Sequence, residues 1–268
     1  MSLGFLFFLY LTVISDSKQD NEQDISVKTR IIGGRTAREH EYPYQVALVS
    51  QSNYFLCGGT IIGDRHVLTA GHCVSDKNGL ARDPRSFKIF FGMTDLLNHD
   101  SVKTSLVKAI HVHPEYMKNG VSNNDIAVMQ TEDPIVIQGL SASALLPEND
   151  VYEGEEATAS GFGQTDSTSL SHSLMAVELK VLPDQECHYQ SRFKSDIMFC
   201  AGVTGGGKST CMGDSGGPLV NRDNEVIGVV SFGPDPCAQE HRPAIFVRVH
   251  AFNEWIENVV RTNETNVN

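Results

Sequence analysis

The chain has 268 residues, 40% of them apolar and 20% charged, a balance that excludes a disordered or low-complexity protein. Its formal net charge of −12 disfavours nucleic acid and anionic membrane as partners and serves solubility first. The length suits one large β domain or two small lobes.

The first segment, from Gly4 to Ile14, is almost entirely apolar and contains Phe5-Leu6-Phe7-Phe8-Leu9. It is too short to span a bilayer but suits the core of a signal peptide over residues 1–15, cut somewhere in 15–17. A buried strand is the alternative, and the polar run from Asp16 to Thr29 favours export. No later segment is apolar enough to cross a membrane, so the expected location is secreted and extracellular. Six cysteines follow: Cys57, Cys73, Cys187, Cys200, Cys211 and Cys237. An even count behind a signal segment implies disulfides, and six cysteines allow about fifteen pairings. No Cys-x-x-Cys pair favours zinc instead.

From Tyr42 the pattern is of short β-branched runs divided by turn residues such as Gly58-Gly59 and Gly63-Asp64. Strands are predicted over 45–49, 60–62, 66–69, 87–91, 106–110 and 126–129. This rhythm suits a small antiparallel barrel. After a linker at 138–145, a second series is predicted over 156–161, 176–179, 196–200, 218–220, 225–231 and 245–249. Phe252, Trp255, Ile256, Val259 and Val260 then recur at helical spacing, predicting a terminal helix over 251–261.

Chemistry concentrates in Cys211-Met212-Gly213-Asp214-Ser215-Gly216-Gly217-Pro218. A serine among glycines suits a tight turn that a substrate can approach closely. Successive amide N–H groups in such a turn can converge on developing negative charge. A serine hydroxyl needs a base, and the base an orienting group. His72, in Thr69-Ala70-Gly71-His72-Cys73, and Asp125, in Asn124-Asp125-Ile126-Ala127-Val128, supply both residue types.

With Ile31-Ile32-Gly33-Gly34 near the start, these motifs resemble the chymotrypsin–trypsin family of serine endopeptidases from Ile31 to about Val260. The likeness is greatest to chymotrypsin-like members, with an arthropod style of motif. The resemblance implies an all-β fold: two antiparallel six-stranded β-barrels, about 31–140 and 141–250, with the active site between them and a C-terminal helix. It implies His72 as general base, Asp125 as its orienting acid and Ser215 as nucleophile, with Gly213 and Ser215 N–H groups forming the oxyanion hole. It selects the disulfides Cys57–Cys73, Cys187–Cys200 and Cys211–Cys237. Residues 16–30 read as a propeptide cut after Arg30, so that the new ammonium on Ile31 pairs with Asp214. Gly71 stands where the family commonly has Ala.

The resemblance also places a substrate pocket, with Ser209 at its base, followed by Thr210, and walls from Ser231, Gly233 and Ala244. A neutral base leaves a bound Lys or Arg unpaired, so cleavage is expected after Phe, Tyr, Leu or Met, with a bias against Trp. Met212, beside the pocket, fits chymotrypsin-like relatives. The enzyme should then not cut at its own Arg30 and needs a trypsin-like activating protease. Polypeptide substrates and protein inhibitors are the expected partners of a monomer with a digestive role. No cofactor or metal is expected; Asp95 and Asp100 alone make no calcium set. Phe55 replaces a His that holds the zymogen in some relatives. Asn263 heads a glycosylation sequon. The competing readings are a narrow collagenolytic or cascade protease and a catalytically silent binding protein.

Overall fold

A computed structural model describes residues 31–98, 102–120, 122–137, 142–165 and 169–265. The signal segment, the propeptide and Asp100 lie outside the described residues, as does the Asn263 side chain.

The first strand, β1 (Arg35–Thr36), is short. Next come β2 (Gln45–Ser50), β3 (Phe55–Gly63), β4 (His66–Thr69), β5 (Phe87–Phe91), β6 (Lys103–Val112) and β7 (Ala127–Thr131). These six close into a barrel in the order β2-β3-β4-β7-β6-β5. Val46 and Leu48 of β2 fill the interior with Ile61, Leu68, Ile89 and Met129. Ala47 and Val49 point the other way, yet are buried as well, against Phe162 and Leu174 from the second half of the chain. β2 is therefore apolar on both faces, because one lines a barrel and the other an interface.

The second series is β8 (Glu156–Gly161), β9 (Met175–Val181), β10 (Met198–Gly202), β11 (Pro218–Asn221), β12 (Val226–Phe232) and β13 (Ala244–Arg248). The order runs β9-β10-β13-β12-β11-β8, and β8 pairs back onto β9 to close the ring. Val177, Leu179 and Val181 face its core, while Glu178 and Lys180 face solvent, the alternation a one-sided strand requires. The architecture is thus two closed six-stranded antiparallel barrels.

Three devices join the barrels. Ser160 donates to Gln45 Oε1 at 2.7 Å inside the interface. Residues after the first barrel stitch both halves, with Ala144 N–H donating to Ile61 O and Leu145 N–H to Asn224 O. The terminal helix (Asn253–Thr265), preceded by a 3-10 turn at Val249–Phe252, seats Phe252 and Ile256 in the first barrel's cluster. It starts two residues later and runs four further than the apolar spacing predicts. The unforeseen β1 pairs with Met175–Ala176 of β9, so a segment preceding the first barrel attaches to the second.

Candidate active site

His72 lies in α1 (Gly71–Val74), directly after β4; Asp125 lies just before β7. These two strands pair, Thr69 opposite Ala127, which brings the two side chains together. His72 Nδ1 is 2.7 Å from Asp125 Oδ2, and the His72 backbone N–H donates to Oδ1 at 2.8 Å. Ser231 Oγ donates to Oδ2 at 2.5 Å from the second barrel. Asp125 is buried and the His72 ring half-exposed. Burial works against the charged imidazole, but the hydrogen bond and charge of Asp125 outweigh it and raise its pKa above 6.5. At Gly71 a Cβ would lie 3.3 Å from Asp125 Oδ1 and 3.2 Å from the Tyr116 ring, tight enough to favour glycine here.

Ser215 sits in a turn bent by Gly213 (φ +95°) and Gly216 (φ +75°). Such backbone angles favour residues without a Cβ. Gly216 presses on the first barrel: a Cβ there would meet Thr69 Oγ1 at 2.3 Å and Gly58 O at 2.7 Å. Gly58 N–H donates to Ser215 O at 2.8 Å, and Thr69 Oγ1 donates to Gly58 O at 2.9 Å. The turn is thus clasped to β3 and to the end of β4, close to where His72 begins its helix. Leu170 and Phe55 cover Gly213.

Asp214 is 1% exposed. Its oxygens accept from Gly163 N–H at 2.9 Å and Cys211 N–H at 2.8 Å. Burial pushes its pKa up to about 6, against the pull of those two bonds. Gly161 and Gly163 form the cradle, since a Cβ on either would lie within 2.5 Å of the carboxylate.

Ser209 is 1% exposed and its hydroxyl has no hydrogen-bond partner among the described residues. Its N–H donates to Ile32 O at 3.2 Å, and Ile31 itself is buried in the second barrel's core. Gly233 faces Ala244: a Cβ on Gly233 would stand 3.8 Å from the Ala244 methyl. The disulfide Cys211–Cys237 ties the Ser215 turn to the segment before Ala244; Cys57–Cys73 and Cys187–Cys200 complete the set. Cys57, His72 and Cys73 have metal-like composition, but both sulfurs are bonded to each other and are not thiolates.

The motifs of the sequence thus converge on one seam. The bond from Ser231 to Asp125 was not foreseen; neither was the Gly161/Gly163 cradle, whose local signal is Gly161-Phe162-Gly163.

Two closed barrels with a serine, a histidine and an aspartate at their seam define the class: the protein is a serine endopeptidase, acting on polypeptide substrates. Residues 31–256 match the family described as Trypsin, and the chain belongs to that family. It is similar to rat tonin, 32% identical over 88% of this chain and 92% of tonin. Human serine protease 1 is 32% identical over 87% and 91%. Mouse kallikrein-1 is 32% identical over 89% and 92%. No helix among the described residues is long and apolar enough to cross a membrane.

Proposed function

We propose that the chain is a secreted proenzyme whose mature form, residues 31–268, hydrolyses peptide bonds after large apolar residues. Ser209 carries the specificity in this reading: its side chain is neutral and buried, at the position the family resemblance gives to the pocket base. A substrate Lys or Arg would lose its water there with no carboxylate opposite, which is costly. Phe, Tyr, Leu and Met carry no such penalty. The Ala244 methyl narrows the pocket against Trp; one methyl shifts preference by about 1–3 kcal/mol.

In the reaction Ser215 Oγ attacks the scissile carbonyl carbon, and its proton passes to His72 Nε2. Asp125 engages Nδ1, which leaves Nε2 as the basic nitrogen and supports the imidazolium. The N–H groups of Gly213 and Ser215 stabilise the oxyanion. The imidazolium then protonates the leaving nitrogen, the C–N bond breaks and an acyl-enzyme remains. Water attacks the ester as His72 takes its proton, and the Ser215 oxygen leaves with that proton.

Activation in this reading is cleavage after Arg30, which turns the Ile31 amide into an ammonium able to pair with Asp214. The contacts of Ile32 with Ser209 couple this segment to the pocket base. A pocket that refuses Arg cannot make this cut, so a trypsin-like protease must. The test is to activate the purified chain with trypsin, inhibit the trypsin, and profile cleavage on a peptide library. Dominant cleavage after Phe, Tyr, Leu or Met is expected; dominant cleavage after Arg or Lys overturns the pocket assignment.

A further inference from the structure

A guanidinium lies across one end of the cleft, and nothing in the mechanism above uses it. Arg192 follows α2 (Asp184–Cys187) in the second half of the chain. Its Cζ stands 4.9 Å from the centroid of the Phe232 ring. Its Nη1 donates at 3.0 Å to Ser122 Oγ, on the loop that leads to Asp125. Phe232 itself lies between Ser231, which binds Asp125, and the pocket wall Gly233. Arg192 therefore spans the seam beside Ser231 and Asp125.

The side chain is held but not satisfied. The Arg192 residue is exposed, and none of the ion pairs among the described residues includes it. The hydrogen bond to Ser122 uses one of five N–H donors, and stacking fixes the plane of the fork. What sets Arg192 apart is its place: the guanidinium is held over the Phe232 ring and against Ser122, beside the proposed cleft. A carboxylate from the substrate would complete it.

The position follows from strand geometry. Successive side chains of an extended peptide point to opposite faces. The side chain before the scissile bond enters the pocket bounded by Gly233 and Ala244. Beyond the irregularity of β12 at Ser231, Phe232 points opposite to Gly233, whose Cβ direction meets Ala244, so its ring lies on the face that the second and fourth substrate residues before the bond would share. We propose that Arg192 is a specificity-determining residue that selects Asp or Glu at one of these two positions. The inference rests on the cleft assignment made above.

The test uses the trypsin-activated enzyme and paired peptides, each with Leu before the scissile bond. Members of a pair differ only by Glu or Gln at the second or the fourth residue before it. At one of these positions the Glu/Gln ratio of kcat/KM should be about five at low salt. It should fall toward one at about 1 M salt. Arg192→Gln should bring the ratio to about one, and Arg192→Glu should invert it. A ratio within one preparation does not depend on how much variant folds or activates. A strap that only braced the barrels would slow both peptides alike. A ratio of one at both positions in the parent enzyme, or a ratio unchanged in both variants, overturns the proposal. The pocket is tested separately by replacing Leu with Arg in every peptide. If Arg peptides are cut faster while the Glu preference persists, the pocket assignment falls and the role of Arg192 stands.

Discussion

The Asp125 carboxylate receives three donors on two oxygens, and the balance among them sets the base. Oδ1 takes the His72 backbone N–H; Oδ2 is shared by the imidazole and the Ser231 hydroxyl. The raised pKa of His72 fixes the sign of the pH dependence. In the proposed mechanism the ring must be neutral to accept the Ser215 proton, so kcat/KM should fall on acidification, with a midpoint above 6.5. Ser231→Ala removes one donor from Oδ2 and leaves more charge facing the imidazole. That acid limb should then move further up, and kcat/KM at its plateau should drop by about tenfold; pH–rate profiles of the two enzymes check both. At the proposed pocket, Gly233→Val puts a branched side chain where a single Cβ already touches the Ala244 methyl. Cleavage after Phe and Tyr should drop by more than about a hundredfold, with cleavage after Ala retained, as a library profile would show. The residues proposed for the triad stand out in the sequence because flanking residues record what each backbone must do. Gly213 and Gly216, for example, adopt positive φ around Ser215. Ser231 and Arg192 were not legible in these roles, because each acts on a partner far away in sequence.

At the scale of elements, strands were placed well in number and less well in extent. β3 was predicted only over 60–62, yet it runs from Phe55 to Gly63, because Gly58 and Gly59 read as a turn. In the barrel they are strand residues without side chains. A Cβ at Gly58 would meet the Gly217 backbone at 2.9 Å, and one at Gly59 the Val46 side chain at the same distance. Close packing of the Ser215 turn on β3 demands the glycine that local propensity reads as a break. The same logic governs the end of β8. Gly161 is not among the positive-φ positions, so alanine suits its backbone, but a Cβ would lie 2.2 Å from Asp214 Oδ1. Gly161→Ala should therefore displace Asp214 and loosen the turn that carries Gly213 and Ser215. Activity should fall by about 10²–10³-fold, the scale of losing an oxyanion donor. Circular dichroism and all three disulfides should be retained. Loss of the fold itself would place the defect in the barrel and not in the turn.

For the whole molecule, the two-lobed division was legible from two series of short strands, whereas the path of the N-terminal segment was not. Residues 31–36 precede the first barrel in sequence but pack on the second, through Ile31 in its core and β1 on β9. No local pattern in two exposed strand residues could announce that pairing. This crossing brings Ile32 O to the Ser209 N–H; in the proposed activation, cleavage behind Arg30 would give the buried Asp214 carboxylate an ammonium partner. In the uncleaved chain its pKa is raised from 3.8 to about 6. The folded state then binds this proton more tightly than the unfolded state. Its stabilisation is complete below 3.8 and is lost as pH rises through about 6. The loss is about 3 kcal/mol for a difference of about two pKa units. Asp214→Asn keeps the shape and removes the titration. In a Ser215→Ala background, which prevents self-digestion, the uncleaved parent chain should lose stability relative to its Asp214→Asn variant between about pH 4 and 7. Urea midpoints at the two pH values measure it. After cleavage behind Arg30 the relation should reverse at neutral pH, because the Ile31 ammonium then favours the carboxylate and the amide offers it no charge. An Asp214→Asn effect of the same sign before and after cleavage would show that the carboxylate does not sense the new terminus.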